Sequence, residues 1–303
     1  SDWYVDYYKP GNYMEDIVPV KRFAVRKGNA ARFVEVNTKL LKGFCVSGRE
    51  EKEFLENIIN SDARISYIRR GEECSSGLVA HFNYILATNT SEYFMLFHDD
   101  DEMLPNMVSA LYEYLFTHDE ISAVGCSGYL NINGKNTKKK MFVSKNIKKM
   151  ENSGSVVRQY AIGNIAPFPS FMYRRSKIIG AKMDWLKGGK YCDCSFISAI
   201  ANKGGVVYLP QCYMYYFISP SQDSQHHEFI QYLSLIKFFS TQVEDQSLLL
   251  DMRIFNIYNY LRDLQLKTGD VPYKRKALFL FYKYSLFNYF PKYILRLLKF
   301  YTK

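Results

Sequence analysis

The chain has 303 residues, 48% apolar and 17% aromatic, with a formal charge of +10. That length suits one large α/β domain with an appendage, and six cysteines at 45, 74, 126, 192, 194 and 212 lack the density of a disulfide-built scaffold. With no apolar leader, reduced thiols and a cytoplasmic setting are expected, and the excess of base calls for an anionic neighbour such as nucleic acid, anionic lipid or a diphosphate-bearing substrate.

Residues 1 to 14 show no clear period. Ile17 to Val20 reads as a short first strand around Pro19. A helix is expected over Ala30 to Leu41, opened after Asn29 and closed by Gly43, followed by the apolar strand Phe44-Cys45-Val46. Glu50 to Ile59 reads as a second helix and Ile65 to Ile68 as a third strand. Ser75-Ser76-Gly77 then leads into a helix carrying Val79, Phe82, Asn83 and Leu86. Tyr93 to Phe97 is apolar at every position, as in a strand buried on both faces.

The run His98-Asp99-Asp100-Asp101-Glu102 falls at the carboxyl end of that strand, the edge where open α/β sheets bind ligands. No Lys or Arg between Glu92 and Pro105 neutralises these acids. Adjacent carboxylates disfavour one another's charged form unless a cation compensates them, and a divalent ion carrying a nucleoside diphosphate would do so. The plainer alternative is a solvated acidic loop ahead of the helix that Pro105 opens.

Asn106 to Phe116 is expected to be helical and Ser122 to Cys126 a strand. From Tyr129 to Val157 the chain is rich in Lys and Asn and loses its period, which predicts a mobile excursion. Order resumes over Asn164 to Arg175. A helix follows Asp193, with Phe196, Ile197 and Ile200 on its apolar face, and Gly204-Gly205 ends it before the strand Val206 to Leu209. Cys192 and Cys194 stand too close for a zinc pair and read as buried thiols.

After residue 246 the segments are helical, basic and aromatic. Their apolar runs are broken by Lys or Arg well before the length that spans a bilayer. Lys276, Lys283, Lys292, Arg296, Lys299 and Lys303, interleaved with Phe, Tyr and Leu, suit an interfacial anchor on an anionic leaflet at the inner face of the plasma membrane; a helical appendage packed on the main domain is the alternative. Strands alternating with helices predict a mostly parallel central sheet flanked by helices, with a C-terminal helical appendage. The expected division is a catalytic domain over 1–245, with halves at about 15–127 and 158–245, and a tail over 246–303.

In this order the features resemble the inverting family 2 glycosyltransferases, whose GT-A fold is a Rossmann-like sheet that binds a nucleotide-sugar. One block runs from Arg64-Ile65-Ser66-Tyr67-Ile68-Arg69 through Gly77 and Asn83 to the acid run and Pro105. The other is Tyr191-Cys192-Asp193, Gly204-Gly205, Val207-Tyr208-Leu209-Pro210, Tyr216 and Gln222-Asp223-Ser224. The resemblance implies a Mg²⁺ or Mn²⁺ at Asp100 with Asp101 as second ligand, and His98 and Asp99 toward the nucleotide. A direct Asp-x-Asp reading instead pairs Asp99 with Asp101. It implies Asp193 as the base that deprotonates an acceptor hydroxyl, and contacts to the nucleotide-sugar from Pro19, Ser47, Arg69 and Gly77. UDP is the default nucleotide, the transferred group a hexose or N-acetylhexosamine, and the acceptor a bacterial surface glycan, lipid-linked if the tail sits on a membrane.

The sequence departs from the family in three places. Pro19 is followed by Val20-Lys21-Arg22 rather than by a Pro-Thr-Tyr-Asn-like turn. Val46-Ser47-Gly48 stands where acids usually hold the nucleoside. Tyr216-Phe217-Ile218-Ser219 stands where a His usually completes the metal shell, leaving His226 or His227 as substitutes. These departures keep a second reading open, that of a catalytically weak or inactive relative used for binding. A nucleic-acid partner is not expected, because no reading motif is present and the bases concentrate in one loop and the tail rather than beside the acids.

Overall fold

The computed structural model describes residues 11–15, 18–22, 77–98, 101–218 and 227–268, together with 279–280, 282–283 and 291. The helices expected at 30–41 and 50–59, the strands at 44–46 and 65–68, and most of the basic tail lie outside the described residues. Residues 1–75 and 76–303 form two compact units. In the first, β1 (Gly11–Glu15) and β2 (Val18–Arg22) make an antiparallel pair, with Pro19 opposite Met14.

The second unit opens with α1 (Gly77–Thr88) and β3 (Tyr93–Met95). Then come β4 (Glu102–Met103), α2 (Met107–Thr117), β5 (Ala123–Ile132), β6 (Lys135–Lys140), β7 (Lys148–Met150) and α3 (Ser153–Ile162). After β8 (Met172–Arg174) and the single turn α4 (Arg175–Ile178), α5 (Cys192–Ala201) leads to the long β9 (Val206–Ile218). Helices α6 (Phe229–Phe239) and α7 (Gln246–Thr268) follow.

The seven-stranded sheet runs β3-β8-β5-β9-β4, with β6 paired to β5 and β7 to β9. It is mixed rather than mostly parallel: β5 and β9 are parallel, and every other pairing among the described residues is antiparallel. The reason lies in the connections. A two-residue turn joins β5 to β6, a link that permits only an antiparallel neighbour, and β8 enters between β3 and β5 against both.

Alternation along the central strands divides the core into two layers. Val124, Cys126, Met172, Val207 and Leu209 face α2, where they meet Met107, Leu111 and Leu115. Ala123, Tyr173, Val206 and Tyr208 face the opposite layer, with Val156 of α3 and Phe196, Ile197 and Ile200 of α5; Phe82 and Ile85 of α1 pack there too. Leu111 and Leu115 are wholly buried, each worth about 1.5–3 kcal/mol in transfer free energy. The first half of α7 (Leu249, Met252) shares a core with Val157 of α3, Cys194 of α5 and Tyr232, Leu235 and Ile236 of α6.

Arg174 closes β8 and is buried. Its guanidinium donates to the carbonyls of Leu115 and, at 3.1 Å, His118, and to Tyr93 Oη at 3.0 Å; Nε donates to Ile121 at 3.2 Å. A cation that satisfies the last carbonyls of α2 also complements the negative end of that helix. Among the described residues no helix is long and apolar enough to cross a membrane. Of the tail, Leu280 packs against α7, whereas Phe279 and Tyr282 are exposed.

Two expectations fail within the sheet. The excursion expected over 129–157 is ordered: β5 continues to Ile132 and turns at Asn133-Gly134, whose φ of 52° and 79° suit a tight two-residue hairpin, into β6. The strand expected to stop at Leu209 runs on to Ile218. Its register slips between Cys126↔Leu209 and Ser127↔Cys212, so Pro210 sits in a bulge, where a missing N–H is tolerated.

Candidate active site

The site is built at the carboxyl end of β3. Leu96 is buried and anchors the strand exit, so the chain leaves the sheet carrying His98, whose ring stacks on Phe82 of α1 at 5.9 Å and meets Phe168 at 5.9 Å. Asp193 lies in the first turn of α5. Part of the residue reaches solvent, but protein atoms surround the carboxylate closely enough that desolvation raises its pKa. The Cys194 backbone N–H, the Cys194 thiol and the charge of His98 pull it partly back. Phe82 and Phe168, which hold His98, pack in one core layer with Cys192 and Phe196 of α5, so His98 and Asp193, far apart in sequence, border the same layer.

The other neighbours of Asp193 are neutral. Burial raises the pKa of Tyr160, Tyr173, Tyr208 and Cys194, and the negative charge of Asp193 adds to each. Cys192 is pushed up to about 12 for the same two reasons, which keeps it a protonated thiol. Cys192 and Cys194 are thus buried thiols, as their spacing suggests.

Asn83 positions this layer. Its Nδ2 donates to the Met183 carbonyl at 2.8 Å and its Oδ1 accepts from the Met183 N–H at 2.7 Å, tying α1 to the segment that leads into α5. That segment turns at Asp184, which caps Trp185–Lys187, and passes through Gly188 and Gly189, both at positive φ, before reaching Tyr191. The amide pair on Asn83 can brace a backbone as a strand neighbour would.

On the other side of the acid run, Asp101 Oδ1 accepts from the Phe217 N–H at 2.9 Å, and β4 pairs with β9 through Glu102↔Tyr215. Burial raises the pKa of Glu102. The end of β9 is thereby fixed against the acids, at the place where the resemblance looks for a metal-binding His. His227 does not fill that role: its Nε2 is hydrogen-bonded to Asn256 Oδ1 and its Nδ1 lies 3.3 Å from Tyr191 Oη, so both ring nitrogens are engaged within the protein, and burial lowers its pKa.

Of the residues singled out in the sequence, His98, Asp101, Asp193 and Gly77, which opens α1, lie in the second unit. Pro19 lies in β2 of the first. Ser47, Arg69, Asp99, Asp100 and His226 lie outside the described residues. Among the described residues no group of three or more His, Cys, Asp or Glu side chains gathers as a metal shell. The carboxylate run to which Asp101 belongs is the hard-oxygen type that Mg²⁺ and Mn²⁺ accept.

The bases are not remote from the acids. Lys140 of β6 stands opposite Tyr129 of β5, which stands beside Tyr215 of β9, which faces Glu102. The lysine-rich hairpin therefore belongs to the same sheet as the acids, three strand spacings across from β4. The residues that sequence reading passed over are Asn83 as a clamp, the phenols around Asp193 and this hairpin, which Asn133-Gly134 signalled.

Residues 47–179 match the family model described as Glycosyl transferase family 2. The match includes the acid run and stops short of Asp193. No curated protein matches the chain. Among solved structures, the crystal structure of S. aureus TarS 1-349 aligns with a TM-score of 0.50 at 11% identity, over 77% of this chain and 66% of that one. The crystal structure of the same TarS segment in complex with UDP-GlcNAc aligns with a TM-score of 0.41 at 13% identity, over 65% and 58%. The chain thus spans just under two thirds of the TarS segment. The likeness shows a GT-A-like α/β fold built on a mixed sheet.

Proposed function

We propose that this protein is an inverting glycosyltransferase that moves a sugar from a nucleoside diphosphate, UDP by default, to a hydroxyl of a surface glycan. The family match over the acid-bearing segment supports the chemistry, and the likeness to TarS supports the fold. The observation that carries the mechanism is that Phe82 and Phe168, which hold His98 at the end of β3, pack in the same core layer as Cys192 and Phe196, which flank Asp193 on α5.

In this reading the acceptor hydroxyl gives its proton to the Asp193 carboxylate as its oxygen bonds to the anomeric carbon. The bond from that carbon to the diphosphate breaks on the opposite face, and its electron pair leaves with the diphosphate. Burial of Asp193 suits the role, because a carboxylate whose pKa is raised accepts a proton more readily once ionised. Among the described residues it enters no ion pair, and neutral phenols and thiols surround it. His98, held between Phe82 and Phe168, lines the path from acids to base. A divalent cation at Asp100 and Asp101 would stabilise the charge that develops on the departing diphosphate.

The test is Asp193→Asn. Binding of UDP-sugar, followed by calorimetry, should be unchanged, while transfer should fall by at least about a hundredfold. Transfer within a few-fold of the parent would remove Asp193 from the mechanism. Failure of the parent chain to bind any nucleotide-sugar would favour a non-catalytic relative.

A further inference from the structure

From Ile121 to Met150 the chain carries seven lysines and no acid. Four of them, Lys135, Lys138, Lys139 and Lys140, stand on β6 beside the end of β5; Lys145 lies in the connection that follows, and Lys148 and Lys149 stand on β7 against the start of β9, all exposed. Lys140 lies 5.9 Å over the ring of Tyr129, and Lys149 acts on Tyr114. Lys135, Lys138, Lys139, Lys145 and Lys148 enter no ion pair among the described residues. Side chains alternate along β6, so its lysines stand on both faces of the hairpin. So dense a field of one sign repels itself and is relieved by a polyanion.

Its place in the sheet says which polyanion. The register Lys140–Tyr129–Tyr215–Glu102 crosses three strand spacings of about 4.8 Å, which puts the lysine ridge about 14 Å from the acid run, within the span of a short oligosaccharide. We propose that the β5–β6 hairpin is the acceptor arm of the transferase, and that the acceptor is an anionic glycan polymer bearing phosphate or carboxylate groups along its chain. The proposal rests on the glycosyltransferase reading. A membrane surface fits less well at β6, because no aromatic or apolar side chain stands among its lysines, the exposed Val143 and Ile147 lying beyond that strand, and a surface for lipid has no need to adjoin the acids. A polymer that must bring a hydroxyl to Asp193 does have that need.

Inorganic polyphosphate is the probe. Labelled polyphosphate, neutral dextran and phosphatidylglycerol vesicles are titrated into the full chain at several salt concentrations, with UDP-GlcNAc binding measured on the same samples. Polyphosphate should bind and dextran should not. Replacing Lys135, Lys138 and Lys139 together by Gln should weaken polyphosphate at least about tenfold and reduce the slope of log affinity against log salt by about 2, near 0.7 for each lost contact. Replacing the exposed Lys182, Lys203 and Lys237 by Gln removes the same charge elsewhere and should change affinity by less than about twofold. Neither variant should alter UDP-GlcNAc binding. Equal losses in both variants, no loss in the hairpin variant, vesicles captured in preference to polyphosphate, or polyphosphate displacing UDP-GlcNAc would each overturn the proposal. A parent chain that binds polyphosphate through the hairpin but no nucleoside diphosphate or nucleotide-sugar would overturn the donor reading, and with it the acceptor role, while leaving the polyanion site intact.

Discussion

Asp101 and Asp193 stand in opposite settings. Asp101 has an oxygen committed to a backbone amide of β9 and leads directly into β4; its position is dictated by strand pairing. Asp193 opens a helix among buried phenols and thiols, where burial opposes its charge. One carboxylate is built into the scaffold, whereas the other is held where ionisation is costly. Such a division suits a site that must both hold charge and move a proton, since environment rather than residue type separates the two tasks.

The comparison can be broken by stability measurements. Removing Arg174 should have the largest effect. Arg174→Met removes the donor of the Ile121 carbonyl and one of two donors to the Leu115 and His118 carbonyls, which keep the backbone N–H groups of His118 and Ile121; an orphaned buried carbonyl costs about 1–3 kcal/mol, so a loss of about 2 kcal/mol is expected in urea unfolding. A loss below about 1 kcal/mol would mean that water replaces the guanidinium and that the scaffold edge is looser than its hydrogen bonds imply.

A smaller effect of opposite sign is expected at Asp193. Its folded pKa is raised above the unfolded value, so the stability linked to its proton is fully present below the ordinary carboxylate range and is lost as pH rises through the folded pKa. Asp193→Asn should therefore be more stable than the parent at neutral pH, with the advantage shrinking as pH falls through the raised folded pKa and gone below the ordinary carboxylate range. Thermal melts of the two chains across acidic and neutral pH check this. An advantage that is absent at neutral pH, or grows on acidification, would show that the amide of Cys194 and His98 outweigh burial.

How much of this could be read in the sequence depended on where the physical signal was local. The helix Met107–Thr117 announces itself through apolar spacing, and the expected span of Asn106 to Phe116 lies within a residue at each end. The acid run after an apolar strand was equally plain, because the pattern and the sheet edge coincide. The extension of β9 past Pro210 was not, since proline normally closes a strand and only the pairing with β5 shows that a bulge absorbs it. The hairpin at Asn133-Gly134 was signalled locally but masked by the surrounding lysines, whose composition suggests a loop. The mixed sense of the sheet and the proximity of Asp193 to His98 are long-range facts that no window of sequence contains.

The central claim is that the acid run and Asp193 serve one site, and bound manganese reads that out directly. In nitrogen-15 spectra of the full chain with UDP present, sub-stoichiometric Mn²⁺ should broaden the amides of His98, Asp101 and Cys194 first, with Lys182 and Ser240 little affected. Broadening that spares Cys194 while erasing the acid run, or that centres on His227, would contradict the account.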